Sequence, residues 1–141
     1  MFKKILVPID MQHKGVAARL LKQADEMVNL FGAQVHVITV MPGYGMPIVA
    51  SYFPADAQKK ARNEMEANLK EFVQSKMKNR ATTGLSVGKR SEEILKVARR
   101  RNPDLMVVGC HKKRTSGDMV LGSCSSKLAT HSPCSVMILK V

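Results

Sequence analysis

Residues 105–126 read LMVVGCHKKRTSGDMVLGSCSS, the most informative stretch of the chain. Its apolar start ends in Gly109 and predicts a short buried strand, while Gly122 and the serines after it predict the start of a helix. A polar and basic loop over residues 110–120 joins the two. The N–H groups at a helix N-terminus are unpaired, and the helix dipole favours negative charge there. The order of strand, loop and helix start therefore predicts a site for a phosphate chain.

The composition is that of an ordinary soluble globule, with 45% hydrophobic and 24% charged residues. A length of 141 residues predicts one domain, residues 1–141. The net charge is +12, and 14 of the 23 Lys and Arg residues follow residue 70, so the C-terminal half attracts anions such as nucleotides. Aromatic residues make up only 4%, which argues against the base-stacking surfaces of nucleic-acid binders. The composition therefore argues against nucleic acid as a partner.

No targeting or membrane segment is visible in the sequence. No apolar run approaches the roughly 18 residues of a membrane span, so we expect no membrane partner. The apolar run near the N-terminus is too short for a signal peptide and is followed at once by Asp10, which predicts a cytoplasmic protein. Three cysteines are an odd number, and we expect free thiols.

Apolar residues recur at strand and helix periods in alternation along the chain. Strands are predicted at Ile5–Ile9, Gln34–Val40, Ala81–Val87, Leu105–Val108 and Val136–Leu139, and helices at Lys14–Phe31, Asp56–Lys78, from the N-cap Ser91 to Arg101, and at Gly122–His131. The Pro- and Gly-rich residues 42–55 predict a long loop. This alternation predicts an α/β fold, a doubly wound parallel sheet with about four helices on its two faces. Ligands of such sheets bind beyond the carboxyl ends of the strands, which brings Asp10 and Gly109 to one crevice.

Four segments resemble the universal stress protein family: KKILVPID at 3–10, VHVITV at 35–40, LMVVG at 105–109, and LGS at 121–123 with HSPCSVMIL at 131–139. The similarity covers essentially the whole chain. It implies five parallel strands in the order 3-2-1-4-5. It also implies a homodimer through the last strand, Ser135–Val141, whose apolar edge contains no proline and so favours pairing.

Nucleotide-binding members of that family share a pattern of Gly, two residues, Gly, nine residues, Gly and then Ser or Thr. Gly109 fills the first position, and Gly122 with Ser123 fills the last pair at the right spacing, but Lys112 stands at the middle position. A glycine would let the backbone approach a phosphate without a Cβ. The lysine either closes that approach or supplies a cation to the phosphates. Two retained glycines place the chain nearer the ATP-binding branch.

The resemblance implies a site for ATP or AMP, with or without Mg²⁺. Asp10, with Pro8 and Ile9, would line the ribose and hold the metal, and Val40 would hold adenine through its backbone. The residues implied on the phosphate side are Gly109, Gly122, Ser123 and the N–H of Cys124, with His111 and Lys112 of the basic loop as candidates.

The sequence was also compared with other motifs and with functions other than nucleotide binding by this family. The sequence has neither a P-loop nor a Gly-x-Gly-x-x-Gly turn, which argues against a P-loop ATPase or a dinucleotide oxidoreductase. No catalytic triad or carboxylate pair is evident, so we expect at most slow ATP hydrolysis and no dedicated enzyme. Three hypotheses follow: a nucleotide-binding regulatory module in stress response, an interaction module whose site Lys112 closes, and a nucleic-acid binder driven by charge.

Overall fold

Strands and helices alternate along the chain, as the apolar periodicity predicts. The computed structural model describes residues 1–43, 55–112 and 119–141, with the backbone alone at 111–112 and 119–120. The strands are β1 (Lys4–Pro8), β2 (Gln34–Met41), β3 (Ala81–Val87), β4 (Leu105–Lys112), β5 (Met119–Val120) and β6 (Ser135–Lys140). The helices are α1 (Lys14–Phe31), α2 (Ala55–Lys76), α3 (Arg90–Arg101) and α4 (Ser123–His131).

Five parallel strands form the main sheet in the order β3-β2-β1-β4-β6. Counted along the chain as parallel strands, this is the predicted order 3-2-1-4-5, which is thereby confirmed. The chain builds the sheet outward from β1 first on the β2 side and then on the β4 side, so the order reverses between β1 and β4. That reversal is where a doubly wound sheet opens a ligand crevice.

The strand β4 is longer than its apolar run predicts. It continues past Val108 to Lys112, because Cys110 still pairs with Lys140 of β6 and the last two residues pair antiparallel with the short strand β5. The prediction of a loop over residues 110–120 was therefore wrong for residues 110–112 and for residues 119–120. The rest of the predicted basic loop, residues 113–118, lies outside the described residues.

Both faces of the sheet are covered by helices, which confirms the predicted layers. One core cluster packs β1 residues such as Val7 against α1 and α2, and it includes Leu21 and Leu69. The other packs Leu6 against α3 and α4, and it includes Ile94 and Leu128. Neighbouring residues of β1 thus belong to opposite cores, as expected for a strand buried on both faces.

The start of α3 differs from its prediction. Lys89, rather than Ser91, is the N-cap, and Ser91 lies inside the first turn, where it is buried. Gly88 turns the chain directly after β3, with φ 146° and its N–H donated to the Met41 carbonyl. The helix therefore begins at Arg90, two residues earlier than an N-cap at Ser91 predicts. This early start makes Arg90 the first helical residue, directly beyond the carboxyl end of β3.

The predicted long loop 42–55 is only partly described. Pro42 and Gly43 follow β2 without regular structure, Ala55 already begins α2, and residues 44–54 lie outside the described residues. Within the described part of the chain, no helix combines the length and the apolar character needed to cross a membrane.

Candidate functional site

A crevice opens beyond the carboxyl ends of β1, β2 and β4, where the strand order reverses. The predicted site residues that line it are Pro8, Ile9, Asp10, Val40, Gly109 and Cys124. Its floor is apolar and is formed by side chains such as Ile94 and Leu128. This inner crevice has a volume of only about 80 Å³. It adjoins an outer crevice of about 780 Å³, which also contains Asp10 and Val40 and falls in the size range of ligand pockets, so a nucleotide would have to occupy both.

Asp10 is held by three groups at the entrance of this crevice. Its Oδ1 accepts the backbone N–H of Gln12 at 2.9 Å, and its Oδ2 accepts from His13 Nδ1 at 2.9 Å. The same Oδ2 forms an ion pair with the Arg90 guanidinium. Burial alone would raise the pKa of Asp10, but Arg90, Gln12 and His13 together lower it to about 2, so the carboxylate is ionised at neutral pH.

Arg90 and His13 are site residues that the sequence reasoning missed. His13 is the N-cap of α1, and Arg90 belongs to the first turn of α3, so each comes from a helix that starts at this edge of the sheet. Both line the inner crevice, and Arg90 also lines the outer one. The signal that could have found Arg90 is its position just after β3, because all carboxyl ends of parallel strands face the same edge.

Val40 presents its backbone to the crevice. Ile9 N–H donates to the Ile38 carbonyl at 2.8 Å, so Ile38 faces β1. Backbone groups of alternate strand residues point to the same side, so Val40 faces the β1 side as well. The β1–β2 ladder ends at the pair of Pro8 and Ile38, and Val40 therefore extends its N–H and C=O beyond the end of β1.

The N-terminus of α4 forms the other side of the crevice. Gly122 is the N-cap in an extended conformation, and no side chain among the described residues caps the helix. The first N–H groups of any helix lack an intrahelical acceptor, which here concerns Ser123, Cys124 and Ser125. Cys124 and Ser125 line the crevice, whereas Gly122 and Ser123 are exposed just before them and are not part of its lining.

Gly109 has a packing role that its motif did not reveal. A Cβ built there would approach Val16 Cγ1 to 3.3 Å and Leu20 Cδ1 to 3.4 Å, so the glycine lets β4 lie close to α1. Its carbonyl accepts the Ser125 hydroxyl at 3.3 Å. Gly109 therefore fixes where α4 starts relative to the sheet, and Ser125 is a further positioning residue that the sequence reasoning missed.

Cys124 is a protonated thiol at neutral pH. Burial raises its pKa above the usual value, although the charges of Arg90 and Lys127 act in the opposite direction. What Cys124 contributes to the crevice is therefore its backbone N–H and a small apolar surface, rather than a reactive thiolate.

His111 and Lys112 are described only through their backbone. Lys112 pairs with Met119 and His111 with Val120 in the antiparallel ladder of β4 and β5. Their side chains lie outside the described residues, so the roles implied for them stay predictions. The middle position of the glycine pattern is thus a strand residue in this chain.

The similarity of this chain to known proteins extends over its full length. The sequence profile of the universal stress protein family matches residues 1–140. The chain belongs to the universal stress protein family. A universal stress protein of Methanocaldococcus jannaschii is 25% identical over 144 residues, which cover 99% of this chain and 83% of the relative.

Solved structures of universal stress proteins share the fold. One from Archaeoglobus fulgidus, in complex with dAMP, superposes with a TM-score of 0.66 at 21% identity and covers 97% of each chain. Another, in complex with cAMP, has a TM-score of 0.65 at 18% identity, with 99% of this chain and 97% of that chain covered. At these identities the likeness establishes the fold.

Proposed function

We propose that this universal stress protein is an ATP- or AMP-binding regulatory module of the stress response, acting in the cytoplasm. The observation that carries the proposal is that one crevice is lined both by the free backbone edge of Val40 and by the uncapped start of α4 at Cys124. The first can read a base and the second can hold a phosphate, and the apolar floor between them excludes water from the ligand.

The Val40 backbone favours adenine over guanine. One N–H and one C=O from the same residue can donate to N1 of adenine and accept from its 6-amino group. Guanine presents a carbonyl oxygen at position 6 and an N–H at position 1, so its donors and acceptors are reversed. A mismatch leaves buried polar groups unpaired, which costs about 1–3 kcal/mol per group.

Two structural neighbours support an adenine nucleotide as the ligand. The universal stress proteins crystallised with dAMP and cAMP have this fold over nearly the whole chain, and both ligands consist of adenine, a sugar and one phosphate. This is compatible with a site in which base and phosphate contacts lie on two sides of a crevice beyond the sheet.

Isothermal titration calorimetry with ATP, AMP and GTP tests the proposal. We expect ATP or AMP to bind and GTP to bind more weakly than the matching adenine nucleotide. Gly15→Ala is a suitable control for glycine substitutions at the site, such as those at position 122. Gly15 is exposed in the first turn of α1 and has no described atom within 4 Å of an added Cβ. If no nucleotide binds at millimolar concentration, the proposed function is wrong.

The alternative is an interaction module that binds no nucleotide. The observation in its favour is that Lys112 replaces the middle glycine and is engaged in the ladder with Met119. In that case the protein would act through its surfaces, and Lys112→Gly would create nucleotide affinity where the unaltered chain has none. The same titration therefore separates the two functions. On either proposal the protein is not a dedicated enzyme, and any ATP hydrolysis is slow.

We propose in addition that the protein is a homodimer joined through β6. This strand is at an edge of the main sheet, where it pairs with β4, and its apolar Ile138 is 37% exposed. A second copy could continue the sheet there and cover that side chain. Size-exclusion chromatography with light scattering should report a dimer for the unaltered chain and a monomer for Ile138→Lys.

A further inference from the structure

The negative charge of the one carboxylate lining the crevice is already balanced by a cationic side chain of the protein. Asp10 is the only acidic residue among the described residues lining either crevice, and the Arg90 guanidinium is paired with it. We propose that Arg90 takes the place of a divalent cation at this site, so that the protein binds its nucleotide as the metal-free anion. This inference rests on the proposed nucleotide-binding function and assigns the residue that determines the form of nucleotide recognised.

The donor set around Asp10 does not fit Mg²⁺. Mg²⁺ requires nearly octahedral oxygen ligands and is usually held by one or two carboxylates with waters and phosphates. Here Oδ1 is taken by the Gln12 N–H, and Oδ2 is shared by His13 and Arg90. A divalent cation could therefore reach only the remaining lone pair of Oδ1 unless it displaced His13 or Arg90, and it would be repelled by the adjacent guanidinium.

Arg90 is placed where it can contact a phosphate chain. It lines both crevices, and Cys124 in the first turn of α4 lines the inner one as well, so Arg90 borders the same space as the proposed phosphate side. Its side chain is 47% exposed and can therefore rotate toward a ligand. A guanidinium has five N–H donors in a planar fork, which suits bidentate contact with phosphate oxygens.

The backbone of Arg90 is held in place by the helix to which it belongs. Arg90 is the first residue of α3, and buried Ser91 and Ile94 hold that turn against the sheet. Asp10 holds the guanidinium across the entrance of the crevice when no ligand competes. A nucleotide phosphate can then share the guanidinium with Asp10 or take it over, which supplies the positive charge that Mg²⁺ would otherwise bring.

Calorimetric titration with ATP in EDTA and in excess MgCl₂ tests this inference. For the unaltered protein we expect dissociation constants within about threefold of each other in the two buffers. Arg90→Ala should weaken binding in EDTA by about tenfold or more, the value of a charge-assisted hydrogen bond. Mg²⁺ should then restore part of the affinity of that variant, because Asp10 is released to hold the metal.

Two further variants keep the test specific. Arg90→Lys retains the charge without the fork, and we expect an intermediate loss of affinity in EDTA. Arg99→Ala is the matched control, because it removes the same residue type from the exposed last turn of the same helix, outside both crevices. It should bind ATP like the unaltered protein, and thermal unfolding by circular dichroism confirms that every variant is folded.

The outcomes distinguish this inference from the proposed function. Binding by the unaltered protein that needs Mg²⁺, or full affinity of Arg90→Ala in EDTA, overturns the role of Arg90 and leaves nucleotide binding in place. Binding in neither buffer overturns the proposed function and this inference with it. Metal-independent binding that Arg90→Ala makes metal-dependent supports both.

Discussion

A valine at position 122 should strongly weaken nucleotide binding without unfolding the protein. Gly122 is the exposed N-cap of α4, and no described atom lies within 4 Å of a Cβ built on it. Its φ of −65° and ψ of 165° are open to any L-residue, so the substitution adds no backbone strain. The new side chain would instead project at the start of the helix, where we place the phosphate.

The expected loss follows from the bonds that the valine would block. A phosphate at this position would accept the N–H groups of Ser123 and Cys124, which have no acceptor within the helix. Each charge-assisted hydrogen bond is worth about 1.5 kcal/mol or more. Loss of both corresponds to about 3 kcal/mol, or a fall in affinity of about 100-fold. Valine is a poorer N-cap than glycine, so stability should fall by about 1 kcal/mol or less.

Titration calorimetry and thermal unfolding should be measured on Gly122→Ala and Gly122→Val together. We expect a graded loss of ATP affinity from alanine to valine, while the midpoint of thermal unfolding falls by only a few degrees. Full ATP affinity in Gly122→Val would refute the placement of the phosphate at the start of α4. A lost fold would refute the inference that the position is open.

Three predictions concern stability. Burial, with the charges of Arg101 and Arg100, lowers the pKa of His36 to about 4. The neutral imidazole therefore stabilises the fold fully above pH 6.5, and this contribution is lost as the pH falls toward 4. Urea unfolding at pH 4.5 should show a free energy of unfolding lower by about 2 kcal/mol than at neutral pH, and His36→Gln should reduce this difference. Asp25→Ala should cost about 2–4 kcal/mol in urea unfolding, because Asp25 accepts the backbone N–H groups of Lys78 and Asn79; an unchanged midpoint would contradict its bracing role. Leu69→Ala should cost about 2–5 kcal/mol by the same assay, since Leu69 is 1% exposed and fixes α2 on the sheet, whereas a cost below about 1 kcal/mol would show that α2 is packed loosely there.

The regular elements of the fold were predictable because their apolar patterns are local. The helix Lys14–Phe31 and the strand Ala81–Val87 have the same bounds in the sequence prediction and in the structure. The extension of β4 to Lys112 was not predictable, because those residues are polar and their pairing with Met119 and Val120 depends on a turn that sequence periodicity does not reveal. Strand order followed from the family resemblance rather than from periodicity.

The crevice was predictable in outline and not in its charges. Parallel strands end at one edge, so Asp10 and Gly109 had to approach each other whatever their side chains did. The pairing of Asp10 with Arg90 joins residues far apart in sequence through side-chain conformations that no local pattern encodes. The prediction of an N-cap at Ser91 made this ion pair harder to foresee, because it placed Arg90 before the helix instead of in its first turn.

Native mass spectrometry of the intact protein tests nucleotide binding most directly. The chain has a mass of 15.6 kDa, and a bound nucleotide adds its own mass to each copy, whether it co-purifies or is added at millimolar concentration. We predict an adduct of ATP or AMP on the unaltered protein that needs about 100-fold more nucleotide to appear on Gly122→Val. Spectra that show only the bare protein with every added adenine nucleotide would contradict the proposed function.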